Sequence, residues 1–331
     1  MSCAKPSNRV GAVQLDALAL ALSERDWQVL SALAIFRLMR TDQLRRLVFA
    51  RHGSKESAER TARSSLRRLC VQIGAICHLE RRIGGVRAGS AGFVWHLTSV
   101  GRRLLASSFA STTIMDKSGA SGSREPPRVA TTEPSLRLVD HTLAVTEVAV
   151  RLREAERVRQ LEILALLPEP ECWREYLGQG GQRLALKPDL WAVTVPLDQA
   201  GSCTIEDHWF IEVDRGTESL ATIRRKGAAY VAYWRAGTEQ AKHGVFPRVL
   251  WLTPDVARAN AITSALADRQ PTRRSGSPTV PAGLHWAAAM SDAVKVVLGP
   301  VEESCACSLP PNQVKNHVIG GDRRNRHEQA R

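Results

Sequence analysis

Apolar residues recur every three or four positions in three segments of the first third of the chain. In the first segment, Trp27, Leu30 and Leu33 fall on one face of a helix, as packing against a core requires. Ser23 and Thr41 precede the first and second segments as candidate N-caps. The pattern predicts helices over residues 24–38, 42–49 and 57–72.

The period changes after the third helix. Gly74 stands where a C-cap glycine belongs, and the apolar runs at 75–83 and 92–97 predict two strands. The glycine-rich residues 84–90 between these strands predict the tip of a hairpin, and a short helix then ends near residue 105. Three helices followed by a hairpin are the order of a winged helix-turn-helix, in which the third helix enters the DNA major groove beside the hairpin, or wing.

The composition changes after the short helix. Residues 107–135 are rich in Ser, Thr, Gly and Pro and poor in apolar residues, which predicts a linker that mild proteolysis cuts to leave two folded pieces. A length of 331 residues also favours two domains. The predicted division is a tail at 1–15, a winged-helix domain at 16–106, a linker at 107–135, a second domain at 136–302 and a disordered tail at 303–331.

The second half of the chain has the order helix, three strands, helix, strand, helix, which predicts an α/β domain. Thr217 is the expected N-cap of its second helix. The predicted helices cover 140–159, 218–233 and 254–269, and the predicted strands cover 161–167, 184–195, 204–214, 248–253, 284–289 and 293–298.

Acidic residues lie at the ends of two predicted strands of this domain. Glu212 and Asp214 are two residues apart, so both point to one face of a strand, and Asp189 lies at the start of another. Lys226 and Tyr230 share one face of the following helix. Carboxylates bind Mg²⁺ or Mn²⁺, and a nearby cation steadies an attacked phosphate, so this pattern is typical of a metal-dependent phosphodiesterase.

The basic charge is concentrated in the first third of the chain. The formal net charge is +13, from 46 Lys and Arg against 33 Asp and Glu. Residues 1–105 contain 18 basic and 7 acidic residues, giving +11, whereas residues 141–270 contain 16 and 17, giving −1. This asymmetry indicates a polyanionic partner for the N-terminal part. The predicted DNA-binding residues are Arg60, Arg63, Arg67 and Arg68 on the third helix and Arg87 in the wing.

Two other interpretations of the arginine face remain open: a solvated helix surface, and a winged helix that binds another protein. The seven cysteines lack the spacing of a zinc site, which favours reduced thiols in the cytoplasm. No apolar run approaches the ~20 residues of a membrane span, and no signal-peptide core is present. We therefore expect a cytoplasmic protein without a membrane partner.

The order of these elements, with Pro188-Asp189 on one strand and Glu212-x-Asp214 on the next, resembles the PD-(D/E)xK nuclease superfamily and its restriction-endonuclease-like fold around a central mixed sheet. Residues 20–255 resemble the replication-relaxation family of actinobacterial plasmids and integrated elements, which joins a winged helix to such a domain. The segments that carry the resemblance are 22–26, 97–101, 141–143, 188–189 and 212–218.

The resemblance implies roles for individual residues. Asp189 and Glu212 match the two strand acids that bind Mg²⁺ or Mn²⁺, and Glu147 matches an accessory acid on the preceding helix. Asp214 departs from the pattern, because active members usually carry Lys at that position. Lys226 on the following helix is then the expected catalytic cation, with Asp214 as a further metal ligand.

Two classes of function follow from the resemblance. One is a Mg²⁺-dependent DNA endonuclease that uses Asp189, Glu212 and Lys226. The other is a non-catalytic DNA-binding factor for replication, transfer or regulation, with a degenerate nuclease-like domain. The expected partners are double-stranded DNA and either a second copy of the chain or other plasmid replication and transfer proteins. Other roles remain open for several of these residues: exposed strand-end acids for Asp189 and Glu212, a solvated helix position for Glu147, an ion pair with Arg215 or Arg224 for Asp214, a surface position for Lys226, packing for Tyr230, and a ligand, capping or core role for His141.

Overall fold

The computed structural model describes residues 10–50, 54–79, 92–113, 136–178, 180–197, 205–267, 281 and 283–299. The predicted hairpin tip at 84–90, which includes Arg87, lies outside these residues, as does the predicted tail at 303–331. Within the described residues, no helix is long and apolar enough to cross a membrane.

The helices are α1 Ala12–Leu20, α2 Glu24–Phe36, α3 Thr41–Val48, α4 Lys55–Arg68, α5 Ser99–Thr113, α6 Leu136–Arg157, α7 Leu220–Ala236, α8 Thr238–His243, α9 Val256–Ala267 and α10 Ala293–Leu298. The strands are β1 Met39–Arg40, β2 Ile76–His78, β3 Val94–Leu97, β4 Leu161–Pro168, β5 Arg174–Leu177, β6 Arg183–Leu186, β7 Leu190–Pro196, β8 Asp207–Val213, β9 Arg248–Thr253 and β10 His285–Ala289. A π-helical turn, Leu69–Ile73, continues α4.

A five-stranded sheet in the order β10-β9-β8-β7-β4 forms the centre of the fold. Strands β10, β9 and β8 run parallel, and β8, β7 and β4 pair antiparallel. The protein therefore has a mixed α/β fold with a central mixed sheet. The prediction of an edge strand near 284–289 is confirmed by β10.

The two faces of this sheet are buried by different elements. On one face, Phe210 and Trp251 pack with Tyr230 of α7. On the other face, Trp209 and Ile211 belong to the same hydrophobic core as α6. That second core extends without a break into the N-terminal helices, through Leu30, Leu33, Leu44 and Leu66. The N-terminal part and the sheet thus share buried apolar surface, the dominant stabilising term in folding.

Helices α2, α3 and α4 lie beside a small antiparallel sheet of order β1-β3-β2. The predicted cap of α2 is confirmed, because the Ser23 hydroxyl accepts from Asp26 N at 3.3 Å and Asp26 Oδ2 accepts from Ser23 N at 2.8 Å. Thr41, however, is the first residue of α3 rather than its cap. Its hydroxyl accepts from the indole of Trp95 at 2.9 Å and donates to Phe93 O at 3.3 Å. The hydroxyl of Thr41 is thus engaged by tertiary contacts with β3 and the residue before it rather than by a capping bond.

Local patterns were wrong where tertiary contacts decided the outcome. Helix α1 begins inside the tail predicted at 1–15, and Leu15 on it is buried. Helix α5 continues to Thr113, past residue 107 where the linker was predicted to begin; residues 114–135 lie outside the described residues. The segment 293–298, predicted as a strand, is α10, which buries Ala293 and Val297 at helical spacing.

The strand predicted over 184–195 is two strands, β6 and β7, separated by 187–189. Pro188 lacks the N–H that a continuous ladder needs, which accounts for the break. Strand β6 pairs instead with β5, a strand that the sequence pattern did not predict. Helix α7 is capped by Ser219, whose hydroxyl accepts from Thr222 N at 3.2 Å, rather than by Thr217.

Candidate functional site

Strand register brings Asp189 and Glu212 together. Leu190 of β7 pairs with Ile211 of β8, and Asp189 N donates to Ile211 O at 3.2 Å. Asp189 precedes Leu190 and Glu212 follows Ile211, so the antiparallel register carries the two acids to opposing positions on one face. Both residues are buried, with 7% and 3% of their surface exposed.

Glu212 is held by two side chains of α7. Lys226 Nζ donates to its Oε2 at 3.1 Å, and the hydroxyl of Tyr230 donates to its Oε1 at 2.6 Å. The prediction that Lys226 and Tyr230 share a helix face is therefore confirmed. Tyr230 is more than packing, since its hydroxyl reaches the strand acid. Lys226 also donates to Glu218 at 2.9 Å, which leaves the ammonium between two carboxylates.

Asp189 is held from the opposite side by a backbone group and by α6. Val213 N donates to its Oδ2 at 2.7 Å, and Nε2 of His141 lies 3.0 Å from its Oδ1. The hydrogen bond to Asp189 raises the pKa of His141, against the opposing effect of burial. His141 is therefore part of the site, a role that the sequence left open between ligand, cap and core.

The electrostatics of this cluster follow from burying acids beside one another. Burial raises the pKa of Glu212 to about 7, and the negative charge of Asp189 adds to the effect, while Lys226 and Tyr230 oppose it. Burial lowers the pKa of Lys226, but Glu212, Glu218 and Asp189 outweigh that effect and raise it overall. One ammonium is thus bonded to two carboxylates and lies in the field of a third, Asp189.

The residues present fit a divalent cation of the Mg²⁺ type. Such an ion is bound through one or two carboxylates, with water and phosphate oxygens completing its shell. Each oxygen of Asp189 and Glu212 accepts one hydrogen bond and keeps a second lone pair. Among the described residues, no group of three or more His, Cys, Asp and Glu side chains could hold a metal ion. A cation at this pair would therefore take its other ligands from solvent or substrate.

Asp214, a predicted metal ligand, makes its hydrogen bonds with an arginine of α9 and with the turn after β8. Its Oδ2 accepts from Arg258 Nε of α9 at 2.6 Å, and its Oδ1 accepts from Gly216 N at 3.0 Å. Strand β8 ends at Val213, and Gly216 turns the chain with a φ of 77°. Arg258 also donates to Glu218 O at 2.6 Å, so Asp214 belongs to the ion pair that fixes this turn. Nothing local in the sequence links it to Arg258, 44 residues away.

Glu147, the predicted accessory acid, faces α3 instead of the strand acids. Arg46 NH1 contacts its two oxygens at 2.8 and 3.0 Å, and Gln43 Nε2 donates to it at 3.2 Å. Arg151 of the same helix adds a contact at 3.1 Å. Burial raises the pKa of Glu147, but the hydrogen bonds from Arg46 and Gln43 outweigh burial and lower it. These contacts fasten α6 to α3.

The four predicted DNA-binding arginines that the structure describes divide into two groups. Arg60, Arg63 and Arg67 lie exposed on α4, and Arg63 pairs along its own helix, with Glu59 at 3.0 Å. Arg68 instead turns towards α2, where it pairs with the buried carboxylate of Asp26 and donates to Ala21 O at 3.3 Å. Arg68 therefore has a structural partner, whereas the other three face solvent.

The comparisons with known proteins agree with the resemblance at the level of the family. The model of the family described as replication-relaxation matches residues 30–249, about two thirds of the chain. No curated protein and no solved structure matches. The matched residues include α4, His141, Asp189, Glu212 and Lys226.

Proposed function

Because the chain belongs to the replication-relaxation family, we propose that it is a DNA-binding protein of plasmid or mobile-element replication or maintenance. The observation that carries this proposal is the exposed arginine face of α4. Helix α4 is the third helix of the order α2-α3-α4, and strands β2 and β3 follow it. That order supports a winged helix-turn-helix in which α4 lies in the major groove and Arg60, Arg63 and Arg67 contact the duplex.

DNA affinity measured across a salt series tests this proposal. Each lost phosphate contact reduces the slope of log affinity against log salt by about 1, so Arg63→Ala with Arg67→Ala should lower it by about 2 and weaken binding. The charge-matched control replaces Arg225 and Arg235, two exposed arginines of α7, by Ala. Equal affinity of the α4 variant and wild type in an anisotropy titration would remove α4 from the interface.

A second candidate function is metal-dependent cleavage of DNA, and the convergence of Asp189, Glu212 and Lys226 favours it. Asp189 and Glu212 would hold Mg²⁺ or Mn²⁺, as the resemblance to the PD-(D/E)xK nucleases implies. When bound, the ion supplies a more acidic water and charge stabilisation at the phosphate. Lys226 Nζ would contribute a fixed positive charge beside the phosphate as negative charge develops on it. The hydroxyl of Tyr230 would hold Glu212 in place through its bond to Oε1.

Nicking of supercoiled plasmid in Mg²⁺ or Mn²⁺ tests this second function. Asp189→Ala and Glu212→Ala should each abolish nicking and leave DNA binding intact, and Lys226→Ala should abolish nicking while metal binding persists. Glu175→Gln, which changes an exposed acid of β5, is the control and should nick like wild type. No nicking by wild type with either metal, across several DNA substrates, would favour the non-catalytic DNA-binding factor.

A further inference from the structure

The carboxylate of Asp189 is oriented by two hydrogen bonds that reach it from different directions. One comes from the backbone at Val213 N and fixes Oδ2 at 2.7 Å. The other joins Oδ1 to Nε2 of His141 at 3.0 Å. A carboxylate only accepts, so Nε2 of His141 is the donor. The side chain of His141 is 27% exposed, so the ring lies where the buried acid meets solvent.

The helix that carries His141 is itself firmly held. Thr146 of α6 donates to Leu38 O at 3.2 Å, and Leu143 O accepts from Gln43 at 2.9 Å. Asp140, next to His141, pairs with Arg215 at 3.3 Å, just beyond the strand that carries Glu212. His141 therefore reaches Asp189 from a helix fixed to the N-terminal part on one side and to the turn after β8 on the other.

We propose that His141 is a positioning residue of the metal site, which donates from Nε2 to Asp189 Oδ1 and so aims the remaining lone pairs of that carboxylate at the cation shared with Glu212. This inference rests on the proposed metal-dependent function. Carboxylates that bind metals are themselves hydrogen-bonded, and the loss of such an outer partner typically weakens metal binding about 10- to 100-fold. A bond that only fastened α6 to the sheet would affect folding stability and leave metal affinity unchanged.

Three substitutions separate these roles. His141→Ala removes the donor. His141→Gln keeps an N–H about as far from the backbone as Nε2, whereas His141→Asn carries its N–H too close to the backbone to reach Asp189. His96→Gln is the matched control, since the ring of His96 contacts the carbonyl of Leu97 on β3, away from the acids. Thermal unfolding of each variant shows that it is folded before metal binding is compared.

The measurement is Mn²⁺ binding to the protein without DNA, from the loss of the free-ion electron paramagnetic resonance signal. We expect His141→Ala and His141→Asn to weaken binding 10- to 100-fold, and His141→Gln and His96→Gln to stay within a few-fold of wild type. Wild-type affinity in folded His141→Ala would overturn the inference and leave the metal site standing. Absence of Mn²⁺ binding in wild type would overturn the metal site and this inference together.

Discussion

At the scale of single residues, the pKa of Glu212 shows the effect of burying one acid beside another. Among the described residues, its only cation within hydrogen-bonding distance is Lys226, which it shares with Glu218, and Asp189 lies on the same face. Its pKa is raised to about 7 from an ordinary value of 4.5. Between these values the folded protein holds a proton that the unfolded chain has released.

The stability of the protein should therefore fall as pH rises from about 4.5 to 7, and the part due to Glu212 should be lost above pH 7. Glu212→Gln keeps an acceptor for Tyr230 and cannot ionise. One pKa unit is worth about 1.4 kcal/mol. We therefore expect the unfolding free energy of the variant, relative to wild type, to be about 1–3 kcal/mol higher at pH 8 than at pH 5. Urea unfolding of both proteins at the two pH values measures this gain, and parallel pH profiles would contradict it.

The sequence indicated three members of this side-chain cluster but not all of their contacts. Asp189 and Glu212 were found because strand ends with acids are local features, and Lys226 because helical spacing aligns it with Tyr230. His141 precedes Asp189 by 48 residues, and Arg258 follows Asp214 by 44. Only the packing of α6 and α9 on the sheet brings those pairs together, so no periodicity could reveal them.

At the scale of elements, the contact between α3 and α6 contains a cluster of ion pairs. Arg46 of α3 contacts Glu147 at 2.8 Å and Glu154 at 2.5 Å, and its guanidinium is largely covered. Burial opposes these bonds, yet the bond to Glu154, together with those to Glu147, raises the pKa of Arg46 overall. Removal of Arg46 leaves two partly covered carboxylates without their shared cation.

Arg46→Ala should lower the free energy of unfolding by about 1–3 kcal/mol, since partly buried acids then lose charged hydrogen bonds. Arg63→Ala is the matched control. Its partner Glu59 lies on the same helix, and Arg63 is 70% exposed, so we expect a change within about 0.5 kcal/mol. Chemical denaturation compares the two, and equal effects would mean that the α3–α6 contact contributes no more than a surface pair.

Two glycines mark where elements approach closely. A Cβ on Gly101 of α5 would overlap the backbone carbonyl of Ala75, whereas a Cβ on Gly227 of α7 would overlap only the tip of Leu266 on α9. A side-chain tip can rotate away, but a carbonyl in a packed turn cannot. Gly101→Ala should therefore destabilise the protein by about 1–3 kcal/mol, and Gly227→Ala by less. The order of their melting temperatures checks this prediction, and the reverse order would contradict it.

Elements with a strong local sequence pattern were predicted closely. One element that was predicted wrongly has a local pattern that fits both a helix and a strand. Residues 248–253 form β9 as predicted, because a buried apolar run suits a central strand. The alternation at 293–298 suits a strand equally well, yet this segment lies beyond the edge strand β10 and packs as a helix. Neighbours in the fold, rather than the residues themselves, decide between those outcomes.

At the scale of the whole molecule, the N-terminal helices and the central sheet are not independent. Their shared core runs from Leu33 through Leu44 to Val148 of α6 and Ile211 of β8, and the described residues up to Leu298 belong to one compact unit. Sequence composition indicated two folded pieces joined by a linker. It could not show this shared core, because the helical pattern of α6 does not say which elements cover its faces.

A protease site introduced within 114–135 tests how far the two parts depend on each other. We expect the two pieces to remain together at the elution volume of the intact chain, because separation would expose the shared core and break the Arg46 contacts. Addition of urea should release them. Separate elution of two folded pieces under native conditions would instead support the independent domains that the composition suggested.

Helix α6 carries His141 near one end and Glu154 near the other. The contact of His141 with Asp189 and the contact of Glu154 with Arg46 therefore both depend on where these residues lie around the same helix. An inserted residue between them would rotate one contact by about 100° relative to the other and break at least one of them. Relatives of this chain should therefore keep a constant number of residues between the positions of His141 and Glu154.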